Sequence, residues 1–276
     1  MHRPEMHQNG PRLWLISGTG EGPALAAELL NAGWQLTVSV VSPPAALAYG
    51  LHPWLTIRIG ALRGEAGVEA ELGAAAAAGN PYLAVLDASH PFARQVSFQL
   101  AAVCQRRGNR LLRLRRPSLE GPATILSSLD DLGAVPLIGK FLLLAIGARQ
   151  LARAVACSPG ARHHARLLPT AASLQQAMAA GLGPERVACL RPGSGLAVER
   201  ALVRRWRITT VLARQSGGST EELWRGICAA EGLHLLLLRR PEEPAGVEAL
   251  DRAALLAKLA LLASCRPSPG VGLPAA

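Results

Sequence analysis

Short apolar runs recur along this chain, and most of them break at a glycine-rich or polar turn that opens a helical stretch. Leu13 to Ser17 reads as a buried strand, followed by a helix from about Gly22 to Asn31 that stops at Ala32-Gly33. Gln35 to Val41 and Tyr82 to Asp87 follow as strands, then a helix over Pro91 to Arg107 and a strand over Arg110 to Leu114. Runs this apolar suit strands covered by helices on both faces, and the strand–helix–strand rhythm implies a parallel, doubly wound sheet. Gly and Pro interrupt the pattern near Gly133 to Lys140, and the rhythm then restarts. Strands are expected at Phe141–Ile146, Ala165–Leu168, Val187–Leu190, Thr210–Ala213 and Leu233–Leu238, with helices between them and a last helix from Gly246 to Ala263. Ala123 to Leu129 carries no clear period. The expected fold is therefore α/β, with two Rossmann-like, doubly wound domains and mostly parallel sheets. The expected domains are residues 11–134 and 135–265, with residues 1–10 and the Pro- and Gly-rich 266–276 as disordered tails. Only 4% of residues are aromatic, so the cores must be built from Leu, Ala, Val and Ile.

The 276 residues carry a formal charge of +10, almost all of it from arginine, since Lys140 and Lys258 are the only lysines. An anionic partner fits that balance: nucleic acid, lipid, a phosphorylated cofactor or a polycarboxylate. An Arg-rich, Lys-poor composition also arises without any partner. Cys104, Cys157, Cys189, Cys228 and Cys265 form no CxxC pair, which argues against a zinc or redox centre and suits a reducing cytoplasm. The histidines, His163-His164 included, show no metal-ligand spacing, so no metal is expected. The first ten residues carry no apolar leader core, and Ala253 to Ala263 is too short to span a bilayer and contains Lys258. A cytoplasmic protein without membrane contact, monomeric or weakly dimeric, is the expectation.

Three segments could carry chemistry. Ser17-Gly18-Thr19-Gly20-Glu21-Gly22-Pro23 follows the first strand and opens a helix. Glycines there let backbone approach a phosphate, and the helix N-terminus supplies N–H groups. It is not a complete GxGxxG, because position 23 is proline; a tight turn without ligand is the competing reading. Asp87-Ala88-Ser89-His90-Pro91-Phe92-Ala93 lies at a strand's carboxyl end, where open α/β sheets bind ligands. Its alternative is helix capping by Ser89 or His90. Arg214-Gln215-Ser216-Gly217-Gly218-Ser219-Thr220 repeats the strand-to-helix context as a second anion cradle, or as a loop capped by Ser219 or Thr220. Of the arginines at 106, 107, 110, 113, 115 and 116, most read as a solvated face. Arg116, before Pro117 at a strand's end, is the exception. No aromatic residue interleaves this cluster, so it does not make a nucleic-acid platform.

Taken together these segments resemble the precorrin-6A reductase family, over about Leu13 to Ala263. The strongest match is Asp87 to Ala93, similar to D-A-[TS]-H-P-F-A. The first loop resembles G-G-T-x-E-[GA]. Arg58-Ile59-Gly60 with Gly64 to Val68, Leu114-Arg115-Arg116-Pro117, Ile146-Gly147 with Leu151, Ala165 to Pro169 and Gln215-Ser216-Gly217-Gly218 resemble other family segments. Arg214 stands where the family has lysine before SGG, and Arg191-Pro192-Gly193 replaces G-P-F. The resemblance implies NADPH-dependent hydride transfer to a double bond of a polycarboxylate corrin precursor in cobalamin biosynthesis. It implies cofactor contacts at Gly18, Thr19, Gly20, Glu21, Gly22, Ser42, Ser216, Gly217 and Gly218. It implies substrate contacts at Asp87, Ser89, His90, Arg94, Arg116 and Arg214, with His90 as candidate catalytic residue. Two other classes compete: a lyase resembling uroporphyrinogen-III synthase, and a non-catalytic NADP- or tetrapyrrole-binding protein.

Overall fold

A computed structural model describes residues 10–18, 20–191 and 196–265. The expected tails therefore lie outside the described residues, except for Gly10. The chain divides into two compact units. Unit 1 joins the residues up to Arg115 to those from Pro241 onward, and unit 2 runs from Arg116 to Arg240. The sequence expectation of a single cut at 134/135 differs, because the chain returns to unit 1 after leaving unit 2.

Unit 1 starts with β1 (Arg12–Ser17), α1 (Gly22–Asn31), β2 (Gln35–Val40), α2 (Pro43–Ala46), β3 (Leu55–Ile59), α3 (Gly64–Ala77), β4 (Ala84–Ala88), α4 (Arg94–Arg107) and β5 (Leu111–Leu114). Unit 2 carries β6 (Thr124–Leu126), β7 (Phe141–Leu144), α5 (Leu151–Cys157), β8 (Arg162–Leu167), α6 (Ala171–Ala179), β9 (Val187–Cys189), α7 (Leu196–Arg205), β10 (Thr210–Arg214), α8 (Ser219–Glu231) and β11 (His234–Leu238). The returning segment gives unit 1 β12 (Glu248–Leu250) and α9 (Arg252–Ser264). The expected last helix from Gly246 is thus corrected: its first turn is a strand, and Asp251 caps α9 by accepting the Ala254 N–H at 2.9 Å.

Both sheets are six-stranded and every strand pair among the described residues is parallel, so the expected "mostly parallel" becomes wholly parallel. Unit 1 has the order β12-β5-β4-β1-β2-β3, and unit 2 β6-β11-β10-β7-β8-β9. Read from β3 and from β9, the two orders match. Only the sixth, edge strand differs: unit 1 takes it from the end of the chain, unit 2 from the segment before β7.

The apolar runs are explained by coverage on both faces. Along β1, Leu13 and Leu15 pack with Leu25 and Leu29 of α1 and Leu255 and Leu259 of α9. Trp14 and Ile16 pack with Val68 and Leu72 of α3 and Leu100 and Val103 of α4. Each such side chain contributes about 1.5–3 kcal/mol on burial. Trp14 keeps its indole N–H satisfied by donating to Ser39 Oγ at 2.9 Å. In unit 2, Leu143, Val211, Ala213, Leu235 and Leu237 pack with Val203 of α7 and Trp224 and Ile227 of α8.

Candidate active site

In unit 1 the connections reverse direction between β1 and β4, which places the following helices α1 and α4 on opposite faces. Loops diverging from neighbouring strands leave a crevice at such a point. Ser17 and Ala88 pair in register at the strands' carboxyl ends. A Cβ on Gly18 would sit 3.9 Å from the His90 backbone nitrogen, so the two loops run side by side. Gly20 is exposed with open space around its Cα. Gly22 must be glycine: a Cβ would overlap Ser17 Oγ and come within 2.5 Å of the Tyr49 hydroxyl. Burial pushes the Tyr49 phenol above its ordinary pKa, and the Ser17 hydroxyl pulls it partly back. Among the described residues no side chain caps α1 or α4, so both helices present amide N–H groups at this edge. Ser42, half-buried and extended, precedes α2 beside the end of β2.

The second loop is more tightly built. Asp87 is 1% exposed and accepts the Ser89 N–H at 2.9 Å through Oδ1. Its Oδ2 is ion-paired with Arg113 of β5. Helix α4 begins at Arg94 with Ala93 as its N-cap, so neither Ser89 nor His90 caps it. The two residues instead form the turn itself. His90 O accepts the Ala93 N–H at 2.7 Å, and His90 Nδ1 accepts the Phe92 N–H at 3.1 Å. A nitrogen that accepts carries no proton, so the neutral imidazole presents its N–H at Nε2. Arg94 is exposed and lies 5.4 Å from the centre of the Phe98 ring.

Unit 2 has the equivalent reversal between β7 and β10. Arg214 ends β10, donates to Gln150 Oε1 at 3.3 Å, and leans over Gly147, where a Cβ would sit 3.2 Å from its guanidinium. Burial, and then the positive charge of Arg149, pushes the Arg214 pKa down to about 10. In the next loop the Gly217 N–H donates to Glu221 Oε2 at 2.8 Å, while Glu221 Oε1 accepts from Arg225 at 2.8 Å. The Gly217 amide, just before the N-cap of α8, thus already meets the protein's own carboxylate. Gly218 is the N-cap of α8, in place of the expected Ser219 or Thr220. Arg240 donates to the carbonyls of Arg116 and Pro117, each at 2.8 Å, and Arg116 is 8% exposed.

The fold thus gathers Gly18, Gly20, Glu21, Gly22, Asp87, Ser89, His90 and Arg94 at the carboxyl edge of unit 1, with Ser42 one strand away. Arg116, Arg214, Ser216, Gly217 and Gly218 belong to unit 2. Thr19, Pro192 and Gly193 lie outside the described residues. Two features escaped the sequence reading. Tyr49 left no signal in its surroundings. Arg113 was read as part of a solvated face but is 3% exposed. An arginine on a strand with neighbours on both sides and helices on both faces must find carboxylates, and that was the available clue.

The family model described as Precorrin-6x reductase CbiJ/CobK matches residues 12–258. The chain belongs to this precorrin-6x reductase family. A cobalt-precorrin-6A reductase of Synechocystis sp. is 32% identical over 237 residues, covering 83% of this chain and 88% of the relative. A precorrin-6A reductase of Rhodococcus erythropolis is 30% identical, covering 88% and 94%. A solved structure, CobK precorrin-6A reductase, superposes with a TM-score of 0.72 at 27% identity, covering 93% of this chain and 100% of that one. As a precorrin-6x reductase the chain is an oxidoreductase acting on a CH–CH bond, a reaction that calls for a reduced nicotinamide. No helix among the described residues is long and apolar enough to cross a membrane.

Proposed function

We propose that this chain is an NADPH-dependent precorrin-6A reductase of cobalamin biosynthesis. The observation that carries the reading is the meeting of two loops at the β1/β4 switch point of unit 1, in a chain of the precorrin-6x reductase family. The residues suit the cofactor. Gly18 and Gly20 leave backbone approachable, Gly22 lets α1 start against Ser17, and the α1 amides face outward from the sheet edge. Val41-Ser42-Pro43-Pro44 follows β2 where NAD binders place a carboxylate, which favours the phosphorylated nicotinamide. Bound there, NADPH supplies the hydride for one carbon of the double bond, and a proton completes the neighbouring carbon. His90 is the assigned catalytic side chain: Phe92 holds its Nδ1 as an acceptor, so the neutral ring carries its N–H at Nε2 and acts as a hydrogen-bond donor toward the substrate, with solvent supplying the proton. Arg94, Arg116 and Arg214 are assigned to the substrate carboxylates, which guanidinium groups bind bidentately. Asp87 and Ser89 shape the turn that carries His90. Five free cysteines suit a reducing cytoplasm.

Anaerobic incubation with NADPH and precorrin-6A, metal-free and cobalt-loaded in parallel, tests this. Consumption of NADPH with stoichiometric gain of two hydrogens by one of the two substrates is the expected result. NADPH binding without turnover of either points to a binding protein, and absence of NADPH binding to a lyase.

A further inference from the structure

The Asp87–Ala93 turn is held from behind by residues that take no direct part in any of the assigned contacts. Arg113, on β5, lies at the centre. Its Nη1 is ion-paired with Asp87 Oδ2 and donates to Ser97 Oγ at 2.6 Å. Its Nε is ion-paired with Glu243, which lies on the segment that returns to unit 1. Ser97, on α4, stands 3.4 Å from Ser89 Oγ, and Asp87 Oδ1 takes the Ser89 N–H. Asp87, Arg113, Ser97 and Ser89 therefore close a ring of hydrogen bonds, with exposures of 1%, 3%, 2% and 7%. Both the backbone and the hydroxyl of Ser89 are tied into it. The next residue is His90.

Charge makes the ring directional. Arg113 faces two carboxylates, so its charge is more than cancelled and it has no share in gripping an anionic substrate. A buried guanidinium between two carboxylates can adopt few arrangements, because any rotation leaves a buried charge without a partner. Fixed donors at Nε and Nη1 suit two separate acceptors, whereas a lysine ammonium is a single point and cannot reach both.

We propose that Arg113 and Glu243 are positioning residues for the reductase reaction: through Asp87, Ser97 and Ser89 they set the turn that aims the His90 imidazole. The proposal rests on the reading of unit 1 as the reducing site, but its geometric half does not need turnover to be observed.

The test uses the full-length protein and three variants. Arg113→Lys keeps the charge and loses the two-way reach. Glu243→Gln keeps an acceptor at the rim of the ring and removes one charge. The double variant Asp87→Asn/Arg113→Met removes the central pair together, so that no fully buried charge is stranded if either single change at the pair prevents folding; Glu243 loses its partner but is 29% exposed. Two readouts are taken. Nitrogen NMR of the histidine side chains reports whether His90 Nδ1 remains an acceptor and Nε2 the protonated site, and hydrogen exchange reports the Phe92 amide. Steady-state kinetics with NADPH and precorrin-6A separates kcat from the two Michaelis constants. We expect Arg113→Lys and the double variant to blur the His90 tautomer and speed Phe92 exchange. We expect kcat to fall about tenfold to a hundredfold, as a misaimed catalytic group does, with NADPH affinity nearly unchanged. Glu243→Gln should move both readouts the same way by a smaller amount. Folded variants that keep the wild-type His90 signature and kcat overturn the proposal, as does a loss confined to NADPH affinity. If wild type fails to turn over precorrin-6A while the variants still change the His90 signature, the reaction assignment falls and the positioning role stands.

Discussion

At Gly22 a single missing carbon decides whether the first helix can begin where it does. Ser17 Oγ and the Tyr49 hydroxyl pass where a methyl group would sit. Gly22→Ala must therefore push the start of α1 away from β1. NADPH affinity, measured by nicotinamide fluorescence on titration, is expected to fall at least about tenfold, a cost of roughly 1.4 kcal/mol. Gly73 is the counterexample. It lies inside α3 with nothing within 4 Å of its Cβ direction, so Gly73→Ala should raise stability by about 0.5–1 kcal/mol and leave affinity alone. The arginines divide in the same way. Arg106 and Arg107 are ion-paired with Glu65 and Glu69 on the outside of unit 1, and exposed pairs of this kind contribute little. Arg116 is buried. Arg116→Ala is expected to raise the Michaelis constant for the tetrapyrrole about tenfold to a hundredfold, the share of one charged hydrogen-bonded partner. Arg106→Ala and Arg107→Ala should change it less than about twofold. Equal losses in all three would assign the effect to long-range charge.

Among the elements, β8 carries two titratable groups into the interior of unit 2. His163 shares a 2.8 Å hydrogen bond with Ser158 Oγ, and His164 lies 4.9 Å, ring to ring, from Trp206. Burial is the first cause that lowers both pKa values below the usual histidine range. The folded state thus holds fewer protons than the unfolded one as pH falls through about 6.5, and stability must drop on acidification. Thermal unfolding followed below neutral pH should show that drop, and His163→Gln/His164→Gln should flatten it; an unchanged slope in the double variant would place the acid sensitivity elsewhere. The loop after β10 makes a conformational demand. Gly217 has φ +66°, and a Cβ there would overlap the Pro117 carbonyl and Arg240. Gly217→Ala is expected to destabilise by roughly 1–3 kcal/mol in thermal melts. The long strands were legible because a parallel strand covered on both faces is apolar through its middle, as Leu13–Ile16 of β1 and Val211–Ala213 of β10 are. The strands that escaped are short or lie at sheet edges. β3 alternates Leu, Thr, Ile, Arg and Ile with much of it exposed, β6 has three residues, and the Glu-Ala-Leu of β12 continues smoothly into a helical pattern. The partner of each edge strand is set by packing, which local sequence does not encode. The candidate site was legible where it consists of loops after strands. The support beneath it was not, because Arg113, Ser97 and Glu243 are far apart in sequence and meet only in the fold.

For the whole molecule, the return of the chain to unit 1 is the feature a linear reading cannot supply. β12 pairs with β5 through Glu248, Ala249 and Leu250, and α9 buries Leu255 and Leu259 in the core. Those two leucines alone account for about 3–6 kcal/mol of burial, against a typical domain stability of about 5–15 kcal/mol. Deleting residues from Gly246 onward should therefore unfold unit 1 and abolish NADPH binding while leaving unit 2 resistant to protease. Retention of NADPH affinity in that truncation would show the edge strand and α9 to be dispensable.

That arrangement also fixes an order of events on the ribosome. A chain emerges from its amino end, and domains mature as their parts become available. Unit 2 has all six of its strands once Leu238 is out, because its edge strand β6 precedes its centre. Unit 1, begun first, still lacks β12 and α9 at that moment. The half of the molecule that carries the glycine loop and His90 is started first and finished last. Until the final stretch arrives, the free side of β5 and the hydrophobic seat of α9 are open to whatever binds nascent chains.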